Sequence, residues 1–125
     1  MQRRQLLSQL EPILLIAVGG FAGANLRYFV DLLAGGLSGT FLVNVAGSFA
    51  LGVLVYDSLR EPTIADNSRL VFGTGFLSSF TTYSTFVLDI ILVEPVVALG
   101  YVAASYLTGF GAVLAARWFV SGGGY

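Results

Sequence analysis

The sequence predicts an all-α integral membrane protein with four transmembrane helices, the third of them interrupted. Three observations predict it. First, 56% of the 125 residues are hydrophobic and only 10% are charged, against about 25% charged in a soluble domain. A soluble chain this short keeps too much surface exposed to hide so much apolar area. Second, the apolar residues fall into four runs, each close to the ~20 residues a helix needs to cross a ~30 Å hydrocarbon core. They lack the alternation of barrel strands, so helix is the form expected. Third, the polar residues within the runs are grouped rather than scattered, most densely in the third run.

The first span covers about 13–33. Gly19, Gly23 and Arg27 recur on one of its faces, and Gly19-x-x-x-Gly23 is a surface for close approach of another helix. Arg27 is costly in a membrane unless it faces a partner, water or the interface. Two roles stay open for it: snorkelling from the helix end, or a fixed positive charge in a vestibule. Arg3-Arg4 ahead of the apolar run resembles a twin-arginine signal, but the run continues past any cleavage site, so an inserted first helix is expected.

The second span, 39–56, holds no charge. Thr40, Asn44 and Ser48 repeat on one face, with Gly47 beside them. Such a stripe serves either as interhelical hydrogen-bond glue or as a polar track with amide and hydroxyl donors for an anion. The loop 57–69 carries Asp57, Arg60, Glu61, Asp66 and Arg69.

The third span, 70–93, is the unusual one. Residues 78–86, Ser-Ser-Phe-Thr-Thr-Tyr-Ser-Thr-Phe, place six serines and threonines among nine positions at mid-membrane depth, after Gly73 and Gly75. Hydroxyls that bond back to the main chain bend or interrupt a helix. Freed carbonyls at this depth are tolerated only when buried or lining a cavity. They suit a dehydrated cation, and the hydroxyls suit an anion. The fourth span, 96–120, starts after Pro95 and carries Tyr101, Ser105 and Gly109 at helical spacing, a small-residue packing face.

Absences narrow the chemistry. The chain has no cysteine or histidine, and all six basic residues are arginine. That excludes thiolate and Ser–His chemistry, imidazole or thiolate metal sites, and lysine-dependent phosphate loops. A net charge of −1 offers no surface for nucleic acid. No enzyme is expected, and no soluble domain accompanies the membrane domain.

The motifs in all four spans resemble the Fluc (CrcB) family of fluoride channels. The matching segments are Gly19-Gly20-x-x-Gly23-x-x-x-Arg27-Tyr28, Gly39-Thr40-x-x-x-Asn44-x-x-Gly47-Ser48 and Gly75-Phe76 with Thr81-Thr82-Tyr83-Ser84-Thr85-Phe86. The weaker Tyr101, Ser105, Gly109 spacing completes them. The resemblance implies an antiparallel dimer with two anion pores, passive fluoride efflux across the cytoplasmic membrane, and a central sodium ion. By the same resemblance the main-chain carbonyls of Ser78 and Thr81 hold the sodium. Asn44 is the pore asparagine. Tyr83 and Phe86 take the places of two pore-lining phenylalanines. Ser84, Thr85 and Tyr101 lie on or beside the polar path that Ser48 extends, and Arg27 faces a vestibule. Two residues depart from the pattern: Ser78-Ser79 stands where glycines are usual, and Tyr83 stands where phenylalanine is usual.

Arginine placement bears on assembly. With both termini inside, the inner side carries Arg3, Arg4, Arg60, Arg69 and Arg117, and the outer loops carry none. That bias favours one orientation. It points to pairing with an oppositely oriented homologue rather than with a second copy of the same chain. The alternative class is a four-helix proton-coupled multidrug transporter. It needs a carboxylate at the middle of the first span, where only Glu11 and Asp31 stand near the ends.

Overall fold

The structure is a computed structural model that describes residues 2–60 and 64–122. Residues 61–63 of the expected loop lie outside the described residues. All of the regular structure described is helical, and four helical stretches are long and apolar enough to cross a membrane. Helix α1 spans Gln2–Ala34 and α2 spans Leu37–Leu59. The third span has two parts. Helix α3 comprises an α-helical turn at Asp66–Arg69, a π-helical stretch at Leu70–Leu77 and a final turn at Ser78–Phe80. After a break at residues 81–83, α4 resumes at Ser84–Leu92. Helix α5 spans Pro95–Ser121.

The helices overrun the apolar spans, most of all in α1, which begins eleven residues before the expected start at 13. The added residues are mostly Gln, Arg and Leu, all good helix formers. Hydropathy marks the part that sits in lipid, not where the hydrogen-bond ladder ends. At 33 residues and ~1.5 Å per residue, α1 is about 50 Å long, so its first turns project beyond a ~30 Å core. Pro12 lies inside it and removes one ladder bond. The connections follow local chemistry. Gly36 turns the chain out of α1 at φ 74°, a region glycine enters without penalty. Pro95 opens α5, where its missing N–H costs nothing. Gly122 closes α5 in the left-handed conformation, its N–H donating to the Phe119 and Trp118 carbonyls.

Packing is closest where side chains are absent. A Cβ on Gly19 would run into the Val71 carbonyl, and one on Gly23 into the Phe76 carbonyl. From the other side, a Cβ on Gly75 would lie 2.7 Å from the Ile16 carbonyl and 3.1 Å from the Gly19 Cα. So the small-residue face of α1 lies main chain against main chain on the π-helical stretch. Arg27, on the same face two turns along, also reaches the third span: its Nη1 donates to the Thr81 carbonyl at 3.4 Å. Helix α2 meets α5 in the same way, with Gly52 opposite Ala116. Gly47 leaves room for the Thr81 methyl group.

The end of the bundle that collects the arginines is tied by ions. Asp57, buried at the end of α2, pairs with Arg69 at 2.6 Å and accepts the Ile64 N–H at 3.2 Å. Arg69 also donates to the Leu54 carbonyl at 2.8 Å, and Arg60 donates to the Val120 carbonyl at 2.9 Å. These contacts fix where α3 starts relative to α2 and α5. Large apolar side chains such as Phe21, Leu33, Val96, Leu99 and Leu107 face outward, as lipid solvent requires.

Gly23→Ala is expected to lose about 1–3 kcal/mol of stability, the usual cost of forcing extra volume into a close contact. Gly100→Ala, where an added Cβ meets nothing within 4 Å, is expected to be neutral or to gain up to about 1 kcal/mol of helix propensity. Unfolding of both variants by SDS titration in detergent checks the contrast.

Candidate functional site

The break at 81–83 is where the sequence concentrates hydroxyls, and α2 supplies its partner. Asn44 Nδ2 donates to the Thr82 carbonyl at 2.9 Å, and the Thr82 N–H donates to Asn44 Oδ1 at 2.8 Å. The side-chain amide therefore pairs with both main-chain groups of one residue. In an unbroken helix the Thr82 N–H would go to the Ser78 carbonyl. One turn on, the Thr85 N–H would go to the Thr81 carbonyl, but it goes to Thr82 Oγ1 at 3.2 Å instead. Thr82 thus takes one bond out of the ladder with its amide and another with its hydroxyl, which also caps α4. Thr81 has extended ψ, 160°, which carries the chain across the gap. Its hydroxyl and its own N–H both donate to the Leu77 carbonyl, at 2.9 and 3.0 Å.

These displacements release the Ser78 and Thr81 carbonyls. Hard, neutral oxygens suit an alkali cation, so the donor type matches the expected ion. Ser78-Ser79 in place of glycine does not obstruct the release, because the Ser78 hydroxyl turns back to the Thr74 and Gly75 carbonyls. Arg27 already donates to the Thr81 oxygen at 3.4 Å, so a cation at that oxygen would sit beside a like charge unless the guanidinium moved away. Two carbonyls are too few for a cation shell, so further ligands must come from elsewhere. Among the described residues no group of three or more acidic, histidine or cysteine side chains offers another metal site.

Beside the break lies a cavity of about 530 Å³. Asn44, Gly47 and Ser48 of α2 line it, as do Ser78, Thr81, Thr82, Tyr83 and Phe86 of the third span. Ser105, Tyr106, Gly109 and Phe110 of α5 form the opposite wall. Among the described residues no charged side chain lines it. Leu51, Leu77 and Val113 make much of the remaining lining apolar, and its polar groups are the Asn44 amide and a few hydroxyls, of which those of Ser78 and Thr81 donate to main-chain carbonyls. The Ser48 hydroxyl donates to the Asn44 carbonyl at 2.8 Å and reaches an ion only by leaving that bond.

Of the expected path residues, Asn44, Ser48, Tyr83 and Phe86 line this cavity, as do both expected cation ligands, Ser78 and Thr81. Ser84, Thr85, Tyr101 and Arg27 are not part of its lining. Tyr101 stands behind it, its ring tilted 35° against that of Phe86 with centroids 5.2 Å apart. Its hydroxyl is buried beside Thr40 and Asp89, and the buried Ser105 Oγ has no hydrogen-bond partner among the described residues. Tyr83 is 73% exposed, and Ser78 and Ser84 are exposed beside it. Sequence inspection missed three participants. Thr82 was one hydroxyl among six, and only its main-chain bonds single it out. Tyr106 and Phe110 look like any aromatic residues of a membrane helix.

Asn44→Ala is expected to strand the Thr82 N–H and carbonyl, at a cost of about 1–3 kcal/mol for each group that finds no other partner. Faster hydrogen–deuterium exchange at the Thr82 amide, with α2 amides unchanged, is the readout. Unaltered exchange there would show that the pair does not hold the break.

The chain matches the model of the CrcB-like protein family (camphor resistance, CrcB) over residues 14–117. It is 54% identical over 117 residues, 91% of each chain, to the protein named fluoride-specific ion channel FluC 1 of Haloarcula marismortui. It is 48% identical to a FluC 1 of Natronomonas pharaonis over 84% of this chain and 90% of that one. It is 38% identical to a FluC 2 of Methanosarcina mazei over 90% of this chain and 89% of that one.

Proposed function

Since the chain belongs to the CrcB family, we propose that it is a fluoride-specific ion channel, not an enzyme, through which fluoride leaves the cell passively and intracellular fluoride toxicity is relieved. The observation that carries this function is the uncharged cavity beside a main-chain break held by Asn44. Fluoride is small and holds its water strongly, so its shell must be replaced by good donors. In the cavity the Asn44 amide, the Ser48 hydroxyl and the positive edges of Tyr83 and Phe86 are groups of that kind, and the hydroxyls of Ser84, Thr85 and Tyr101, outside its lining, would act elsewhere on the path. None carries a charge, so none binds the ion too tightly to let it go, and conduction needs several weak sites in series. Arg27, at the far end of the glycine face, donates to the Thr81 carbonyl and so adds positive potential beside the break. The membrane we assign is the cytoplasmic one, crossed four times. Family membership replaces the multidrug transporter as the function.

The unit we propose is an antiparallel dimer. Ser78, Tyr83 and Ser84 are exposed on a single chain at a depth where released main chain does not face lipid, so a second subunit has to cover them. That subunit also supplies the carbonyls needed to complete a sodium site with Ser78 and Thr81. Bound there, sodium supplies a fixed positive charge beside the path. The arginines of one end favour a homologous, oppositely oriented subunit over a second copy. Relatives numbered FluC 1 and FluC 2 fit a partner of that kind.

Purified protein in liposomes, alone or with its homologue, is expected to release fluoride but not chloride when the potential is collapsed by a potassium ionophore. Phe86→Ala should slow fluoride release about tenfold or more, equivalent to ~1.4 kcal/mol of barrier. Absence of fluoride flux from either preparation overturns the function. Protease protection of tags on both termini tests the assembly: one orientation is expected, and an even mixture would favour self-pairing.

A further inference from the structure

The Phe86 ring touches three tyrosines. Tyr101 and Tyr83 lie at shallow angles to it, 35° and 31°, with centroids 5.2 and 6.1 Å away. Tyr106 alone meets it at 84°, with centroids 6.2 Å apart. The two tilted contacts have neither offset-stacked nor edge-to-face geometry and so set the ring angle less sharply. An edge-to-face contact sets the angle of one ring against the other, because a positive edge meets a negative face. The terminal torsion of phenylalanine is otherwise broad. Tyr106 is itself held by Phe110 one turn along α5, at 6.2 Å and 34°. Phe86, Tyr106 and Phe110 all line the cavity.

We propose that Tyr106 is a positioning residue: its ring sets the tilt of Phe86, and so which part of Phe86 faces an anion in the cavity and how well small anions are preferred to large ones. This rests on the channel function proposed above. A ring edge aimed into the cavity rewards an ion of high charge density. A ring free to tilt presents its negative face part of the time and loses that discrimination. The role belongs to the Tyr106 ring and not to its hydroxyl.

Three variants in liposomes separate the cases, read as the ratio of fluoride to chloride permeation. Tyr106→Leu keeps apolar bulk and removes the ring. The ratio is expected to fall about 3- to 10-fold, equivalent to ~0.7–1.4 kcal/mol, the scale of an edge-to-face pair. Tyr106→Phe keeps the ring and is expected to stay within about twofold of wild type, since the pair is between rings. Tyr106→Met replaces Tyr106→Leu if the latter fails to assemble on size exclusion. In a Phe86→Leu background, Tyr106→Leu should add no further loss, because the two residues act as one unit. A Tyr106→Phe variant as impaired as Tyr106→Leu would overturn the proposal by assigning the effect to the hydroxyl. So would unchanged ratios in Tyr106→Leu or Tyr106→Met, or additive losses with Phe86→Leu. A wild-type protein that passes no fluoride overturns the channel function, and this proposal with it.

Discussion

A helix that opens inside a membrane exposes main-chain groups that lipid cannot satisfy. Everything distinctive here depends on how that problem is met at Thr82. One asparagine side chain, projecting from α2, takes both main-chain groups of the residue at the gap. The Thr82 hydroxyl then takes the Thr85 N–H in the first turn of α4. The Thr82 and Thr85 N–H groups thus find acceptors outside the ladder, so the Ser78 and Thr81 carbonyls lose their ladder donors, and the Thr81 oxygen accepts from Arg27 instead. Oxygens released in this way, beside the cavity, are the groups on which the proposed sodium site rests.

The break is held in place by the contact behind it. Gly19, Gly23 and Gly75 bring α1 and α3 together main chain on main chain, over the stretch where α3 is wound as a π helix. A π-helical turn shifts the register of the residues beyond it, and such turns are frequent at functional sites. In this chain the shifted residues are Ser78–Phe80, which lead directly into the gap. Arg27 continues the same face of α1 to the Thr81 carbonyl, so one helix face supports both the wide winding and the break. At the arginine-rich end, the Asp57–Arg69 pair sets where α3 begins.

Much of this is legible in the chain. The four spans follow from apolar length, and their order from short links at Gly35–Gly36 and Glu94–Pro95. The grouping of hydroxyls in 78–86 signals an interruption, because serine and threonine compete for main-chain partners. The Gly19, Gly23, Arg27 stripe signals a packed face. What hydropathy does not carry is the length of α1, since Gln and Arg continue a helix as well as leucine does. Nor does it carry the π winding of 70–77, which glycines 73 and 75 permit but do not specify. For Asn44, glue and pore donor both fit the sequence; the structure uses one of its amide hydrogens as glue and leaves the other beside the cavity.

The sequence by itself therefore determined the medium, the number of spans, the place of the interruption and the chemical palette, because each depends on local composition and spacing. Only the tertiary structure decided which partner each polar group takes. It gave Thr82 rather than its neighbours to Asn44, set Arg27 on the Thr81 oxygen, and placed Tyr106 across the ring of Phe86. These pairings join residues 38 and 54 positions apart in the two hydrogen bonds. They follow from how closely glycine-faced helices approach, a distance no single span contains.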